Sequence, residues 1–306
     1  MSIVTNIKDK YANYRLTKIN NLENSVKEIG KCVTASPSSP EKLMPDKLKI
    51  TLKTLPRQLS IAKNMELTVK SLKNNPEDPK VEAETDFIKQ FENYAKSIGV
   101  DKIGYIKTPS ELIFKDKSIL FDNAIILTME MDKKAVDMAP SSETQEMSNI
   151  TYDELGKKTN ELAEFLRENG FAAHASHPAG GIVMYPHLAQ TAGLGYIGMH
   201  GMLITPEFGP RQRLSAIFTS IQNLPVKNGN KHSWIPDFCA KCGKCIKKCP
   251  GNAITQQKSS ETGKTRTKVI KDLCSGCTMC MRECSFNMRE YSQIEDKFRK
   301  SKEIIS

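Results

Sequence analysis

The chain has 306 residues and a mass of 34.3 kDa, 39% of them hydrophobic, enough for one sizeable core and an attached module. Its formal charge of +10 arises from 45 Lys and Arg against 35 Asp and Glu, scattered along the chain without a basic block, a pattern of solubility more than of nucleic-acid binding. It holds no apolar run of about 18 residues, no charged-then-apolar leader and no Arg-Arg pair, so a cytoplasmic protein without a membrane segment is expected.

Residues 1–80 are Lys-rich and aromatic-poor, broken by Pro37, Pro40, Pro45, Pro56, Pro76 and Pro79, with short apolar-periodic stretches such as residues 50–59. They read as a helical, basic N-terminal region wrapping a core, and Cys32 within it as an incidental thiol. Residues 85–98 place Phe87, Ile88, Phe91, Tyr94, Ala95 and Ile98 on one helical face, and Gly99 stops the helix. Residues 100–106 and 124–129 read as buried strands. Thr151 and Glu154 read as a capping box, opening a helix whose stripe is Leu155, Leu162, Ala163, Phe165 and Leu166 and whose end is Gly170. A short strand at 171–175 follows, then a helix at 186–192 and a loop punctuated by Gly193, Gly195, Gly198 and Gly201. Strands at 202–205 and 214–219 complete an α/β (α+β) core over residues 81–228, and the alternation of helix and strand predicts that part of the sheet is parallel. Residues 229–290 form a cysteine-rich module and 291–306 a C-terminal tail.

Eight of the nine cysteines carry the most specific pattern. Cys239, Cys242, Cys245 and Cys249 are spaced C-x2-C-x2-C-x3-C before Pro250, and Cys274, Cys277, Cys280 and Cys284 repeat the spacing, with Ser285 in place of a second proline. Three thiolates on one tight loop reach three irons of a 4Fe-4S cubane, while the fourth points at the neighbouring cluster. Ligation therefore crosses over: Cys239, Cys242, Cys245 and Cys284 hold one cluster, and Cys274, Cys277, Cys280 and Cys249 the other. Zinc also takes Cys-x2-Cys pairs, but a tetrahedral site rarely uses three cysteines in a row at this spacing. Lys241, Lys244, Lys247, Lys248 and Arg282 lie between the ligands, where they either offset cluster charge and dock an acidic electron carrier or are simply solvated. The glycine run 193–201 lacks the strand and acidic residue of a dinucleotide fingerprint.

A ferredoxin module needs only about the last 70 residues by this spacing. The run Thr191-Ala-Gly-Leu-Gly-Tyr-Ile-Gly-Met-His-Gly-Met-Leu-Ile-Thr-Pro-Glu-Phe-Gly-Pro-Arg, continuing to Thr219 and into the first cysteine motif, resembles the corrinoid-dependent reductive dehalogenase and epoxyqueuosine reductase superfamily. The resemblance spans roughly residues 84–290. Ile204-Thr-Pro-Glu-Phe-Gly-Pro-Arg, Met129-Glu-Met-Asp-Lys and Ala139-Pro-Ser look closer to the dehalogenase branch, and the helical-repeat tail usual in the tRNA-modifying branch is absent after Cys284. The resemblance implies a nitroreductase-like core with a bacterial-ferredoxin-like module, a base-off corrinoid (cobalamin), a ferredoxin or flavodoxin as electron donor, and a small-molecule substrate such as an organohalide.

By the same resemblance Tyr152 matches the proton donor and Arg211 its basic partner. A phenol is a poor acid at neutral pH unless a nearby cation stabilises the phenolate; the plainer reading of Tyr152 is an amphipathic residue in a first helical turn. His177, Gly195, Gly198, His200 and Gly201 are the expected corrinoid contacts, the glycines by letting backbone approach a flat macrocycle. His174 and His177 could instead form a metal pair, and His187, His200 and His232 are open to the reading of satisfied or surface histidines. Where the dehalogenase pattern carries an asparagine near the substrate, Pro178 or a neighbour stands here. Two alternatives stay open: a corrinoid-free 4Fe-4S electron-transfer protein, and an epoxyqueuosine-reductase-like tRNA-modifying enzyme.

Overall fold

Pro56 occupies the first turn of helix α1 (Leu55–Lys70), where a missing N–H leaves no bond unmade. The computed structural model describes residues 54–114, 117–258 and 265–303, so what was expected of residues 1–53, Cys32 included, lies outside the described residues. Then come α2 (Thr85–Ser97), β1 (Lys102–Lys107), β2 (Asn123–Glu130), α3 (Lys133–Asp137), α4 (Ser142–Glu168), β3 (Ala173–Ser176) and α5 (Tyr185–Thr191). Two-residue strands β4 (Tyr196–Ile197) and β5 (Leu203–Ile204) form a hairpin, and β6 (Gln212–Thr219) closes the core. The cysteine-rich module adds α6 (Ile235–Cys242), α7 (Lys244–Lys247), the hairpin of β7 (Ile254–Lys258) and β8 (Thr265–Val269), α8 (Met279–Arg282), α9 (Ser285–Met288) and α10 (Tyr291–Glu303).

The four-stranded sheet runs β1-β2-β6-β3, and every pairing in it is antiparallel, which corrects the expectation of parallel strands. The apolar runs misled because helices cover both faces of this sheet, giving antiparallel strands the continuous burial usual in parallel ones. Along β2, Ile125, Leu127 and Met129 face α2 and α4, packing with Phe91, Leu155, Leu162 and Leu166. Ala124 and Ile126 face the other way, toward Leu188 and Ala189 of α5.

The long helix α4 corrects a second expectation. It starts at Ser142, capped by the Ser141 hydroxyl, which accepts from the Thr144 amide at 3.1 Å. Thr151 lies mid-helix and its hydroxyl donates to the Ser148 carbonyl at 3.0 Å, so Thr151 and Glu154 form no capping box. Residues 142–150 were missed because the buried face there includes polar Thr144. At the other end of the chain, α10 is no loose tail: Tyr291, Ile294 and Phe298 are buried in the module's core with Trp234 and Phe286.

Gly156 fixes where α4 meets β3. A Cβ there would stand 1.9 Å from His177 Nε2, and the His177 ring is fully buried, its Nδ1 accepting from the Ala179 amide at 3.0 Å. Gly156→Ala therefore loses stability by about 1–3 kcal/mol, although Ala in an open helix position would gain about 1 kcal/mol. In a His177→Ala background the same change should become neutral or stabilising in urea denaturation; a stabilised Gly156→Ala single variant would contradict this packing.

Candidate iron-sulfur and redox site

The two cysteine loops are shaped by left-handed residues at matching places. Gly243 (φ 60°) ends α6 and opens α7, wrapping Cys239, Cys242 and Cys245 round a tight path, while Gly276 (φ 68°) and Thr278 (φ 66°) turn the second loop into α8. Cys284 leaves α8 and joins Cys239, Cys242 and Cys245 in lining one small cavity. Its thiol is coupled electrostatically to those same three, whereas Cys280 is coupled to Cys277, Cys245, Cys274 and Cys249. Cys284 thus faces the three cysteines of the first loop.

Burial pushes Cys239 up to about 12, Cys245 up to about 11 and Cys280 up to about 12, and raises Cys284 as well. Bare thiolates in these positions are costly, and iron supplies the positive charge that makes them favourable. Backbone amides already aim at the sulfurs: Met199 N–H at Cys239, Phe286 N–H at Cys284, and Ala253 N–H at Cys249 with a distance of 3.3 Å. The donor set fits 4Fe-4S clusters. Among the described residues no three His, Cys, Asp or Glu side chains converge as the ligands of a single metal ion would.

The glycines from 193 to 201 serve a use that sequence reasoning did not foresee. A Cβ at Gly195 would come 2.1 Å from the Ile204 carbonyl oxygen, and one at Gly198 would come 2.6 Å from Ile204 Cδ1 and 2.9 Å from His200 Cε1. Gly201 (φ 78°) makes the turn of the β4–β5 hairpin, its amide donating to the Gly198 carbonyl at 2.9 Å. The close approach these residues permit is therefore to the chain's own atoms, and this hairpin is laid against the first cysteine set. His200 lines that cavity, and its burial pushes it down to about 4, leaving it neutral. His177 lies behind α4 against Gly156, while His200 lines the cavity of the first cysteine set. His174 and His177 also point to opposite faces of the sheet, His174 toward the Phe218 ring and His177 toward Gly156, as an odd separation on a strand dictates.

An open cleft of about 770 Å³ lies between the end of β2, α3 and α4. Asp101, Glu130, Asp132, Glu143, Glu146 and Glu154 line it, with Lys158 the one cation among the lining residues. Thr151 is also in its wall, whereas half-buried Tyr152, the next residue of α4, is not among the residues that line it. The basic residue beside Tyr152 is Arg213, whose guanidinium lies 3.7 Å from the ring centroid and whose Nε donates to the Thr151 hydroxyl at 3.3 Å. Arg211, the expected partner, is instead paired with Glu130 at 2.5 Å. The Arg-x-Arg spacing at 211–213 was the signal available, since positions two apart at a strand end share a face.

Comparison with known proteins agrees with this architecture. Residues 238–288, which hold all eight cysteines, match the 4Fe-4S dicluster domain family. Tetrachloroethene reductive dehalogenases are similar over about half of the chain: that of Desulfitobacterium hafniense is 33% identical over 146 residues (47% of this chain, 25% of the relative). That of Sulfurospirillum multivorans is 32% identical over 151 residues (49% and 29%). An epoxyqueuosine reductase of Bacillus subtilis is 26% identical over 197 residues (53% and 50%). The chain is thus similar, over about half of its length, to reductive dehalogenases and to epoxyqueuosine reductases. It spans about a quarter of the length of the dehalogenases it matches. Among solved structures, a catabolic reductive dehalogenase in complex with 3-bromo-4-hydroxybenzoic acid shares the fold, with a TM-score of 0.62 at 17% identity, covering 88% of this chain and 43% of that one.

A crossed cage makes a direct demand. Cys284→Ala and Cys239→Ala, although 45 residues apart by subtraction of their numbers, should remove the same cluster and leave the same remaining reduced-cluster spectrum after anaerobic reconstitution. Cys249→Ala should pair with Cys274→Ala in the same way. Cys284→Ala behaving like Cys274→Ala would show that each loop keeps its own four ligands.

Proposed function

We propose that the chain is an iron-sulfur oxidoreductase of the reductive dehalogenase type, in which two 4Fe-4S clusters carry electrons one at a time from an acidic donor protein to a group reduced in the cleft beside Tyr152. Supporting this reading, Cys242 of the first cysteine set opens on a basic groove, while α8, the helix carrying Cys280, packs against the wall of an acidic cleft. The groove, about 640 Å³ between α6 and α10, includes Lys241, Lys244, Arg289, Lys297 and the cluster ligand Cys242, and no carboxylate lines it. Such a surface suits an acidic ferredoxin or flavodoxin. On the opposite side α8, which carries Cys280, is tied to the cleft wall. Met281 packs in one apolar cluster with Met131, Val136 and Met147, Arg282 donates to the Ala139 carbonyl at 2.6 Å, and Asn287 donates to Asp137 at 2.8 Å.

The chemistry that closes this path is cleavage of a carbon–halogen or similar bond by two electrons and one proton, giving a carbon–hydrogen bond and a released anion. Tyr152 supplies the proton, its ring held by the Arg213 guanidinium stacked over it. Arg211, held by Glu130, shapes the cleft wall. A solved relative of the same fold is described as performing B12-dependent dehalogenation, which makes a corrinoid the candidate acceptor. The residues expected to touch it do not surround the cleft, so no step is assigned to it. That mismatch favours, as the second reading, an electron-transfer protein that binds no corrinoid. The carboxylates of the cleft repel phosphate, which supports a small-molecule substrate over tRNA there.

Two measurements test the proposal. Tyr152→Phe should lower reductive turnover of organohalides by roughly 10²–10⁴-fold, the usual contribution of a positioned acid, and Arg213→Gln should lower it too, both with unchanged iron content. Undiminished turnover in Tyr152→Phe removes the proton-donor role. Anaerobic titration with hydroxocobalamin, followed by electron paramagnetic resonance, should give a stoichiometric cobalt(II) signal without a nitrogen lower ligand if a corrinoid is the acceptor; no binding favours the corrinoid-free reading.

A further inference from the structure

His200 is a buried imidazole with one nitrogen accounted for and one not. Its Nδ1 accepts a hydrogen bond from the Met202 amide at 3.1 Å, which is possible only if Nδ1 carries no proton, so in the neutral ring Nε2 bears the N–H. Nε2 is itself buried and has no hydrogen-bond partner among the described residues. A buried N–H left unmade is expensive, and native structures rarely tolerate one without a partner of some kind. The cavity His200 lines is the one formed by Cys239, Cys242, Cys245 and Cys284. Gly198 makes room for the ring: a Cβ there would meet His200 Cε1 at 2.9 Å and Nε2 at 3.3 Å. The hairpin turn from Gly198 to Met202 therefore builds a slot for this side chain against the first cysteine set.

We infer that His200 donates its Nε2–H to a sulfur of the cluster held by Cys239, Cys242, Cys245 and Cys284, and so tunes that cluster's reduction potential. The inference rests on the crossed ligand assignment and adds to it a side chain outside the cysteine motif. A sulfur bearing a hydrogen bond holds the extra electron of the reduced cluster more favourably, so the potential is raised relative to a cluster without that donor. Ser285 offers a hydroxyl to the same cage, 3.3 Å from Cys242 Sγ. The first cluster, whose ligand Cys242 opens on the basic groove, is thereby made a better electron acceptor than it would be without this donor. Electrons delivered from outside are gathered there before they move inward.

The direct test uses the unmodified holoprotein with its five histidines labelled with ¹⁵N. Pulsed electron paramagnetic resonance on the reduced clusters should show a ¹⁵N coupling, which His200→Gln labelled in the same way should lack. Redox titration supplies the second readout. His200→Leu should lower the midpoint of one cluster by the equivalent of about tenfold in its reduction equilibrium, about 59 mV for one electron. The other midpoint should stay in place, and His200→Gln, which keeps an amide donor, should restore part of the shift. Two normal clusters without any ¹⁵N coupling in the unmodified protein overturn the role of His200 and leave the ligand assignment standing. Loss of a second cluster signal altogether overturns the two-cluster reading itself.

Discussion

Burial of thiol sulfur is the constraint on which the C-terminal half of this protein depends. Cys239, Cys245 and Cys284 are each less than one-tenth exposed, in a shell of Trp234, Phe238, Phe286, Tyr291 and Phe298. Negative charge in such surroundings is unfavourable until iron is bound, so folding and cluster assembly are coupled. The aromatic shell is itself kept in order by polar contacts: the Tyr291 hydroxyl accepts from the Trp234 indole N–H at 3.1 Å and shares a hydrogen bond of 2.6 Å with His232 Nδ1. Helix α10 closes this shell and at the same time forms one wall of the basic groove, so the element that keeps water from the first cluster also offers its face to a partner.

The joint between core and module follows from close backbone approaches. Gly209, in the Ile-Thr-Pro-Glu-Phe-Gly string, adopts φ 56° and could carry no Cβ, which would fall 2.1 Å from the Phe286 carbonyl oxygen. The β4–β5 hairpin is built from the core segment yet contributes Tyr196, Met199 and Ile204 to the module's apolar cluster. A boundary drawn at residue 228 therefore cuts through packed side chains. This joint holds α8 against α3 and the wall of the cleft.

The 4Fe-4S dicluster module over residues 238–288 was legible because thiol spacing on a tight loop leaves few geometries. Most strands were legible too, since β-branched runs such as residues 124–129 can hardly be anything else in a buried core. Strand direction was not, because a sheet covered on both faces has the same hydrophobic pattern in either sense. The first turns of α4 were lost because its buried face is partly polar: Asp153 is almost fully buried yet satisfied by Ser60 at 2.6 Å and Lys157 at 2.7 Å, a compensation that only tertiary structure supplies. The glycine run was correctly seen as a place of close approach, but what approaches is the chain itself. Arg213 and Arg211 differ by two residues, and which of them reaches Tyr152 depends on the Glu130 carboxylate that holds the other.

The account stands or falls on two clusters close enough to exchange electrons across a shared cage. Electron paramagnetic resonance of the fully reduced, anaerobically reconstituted protein addresses this directly. Interleaved ligands predict that the two reduced clusters interact magnetically, giving a broadened spectrum that sharpens to a simple single-cluster signal when one set is removed. A sum of two independent, unbroadened signals, or a protein that takes up only zinc, would contradict it.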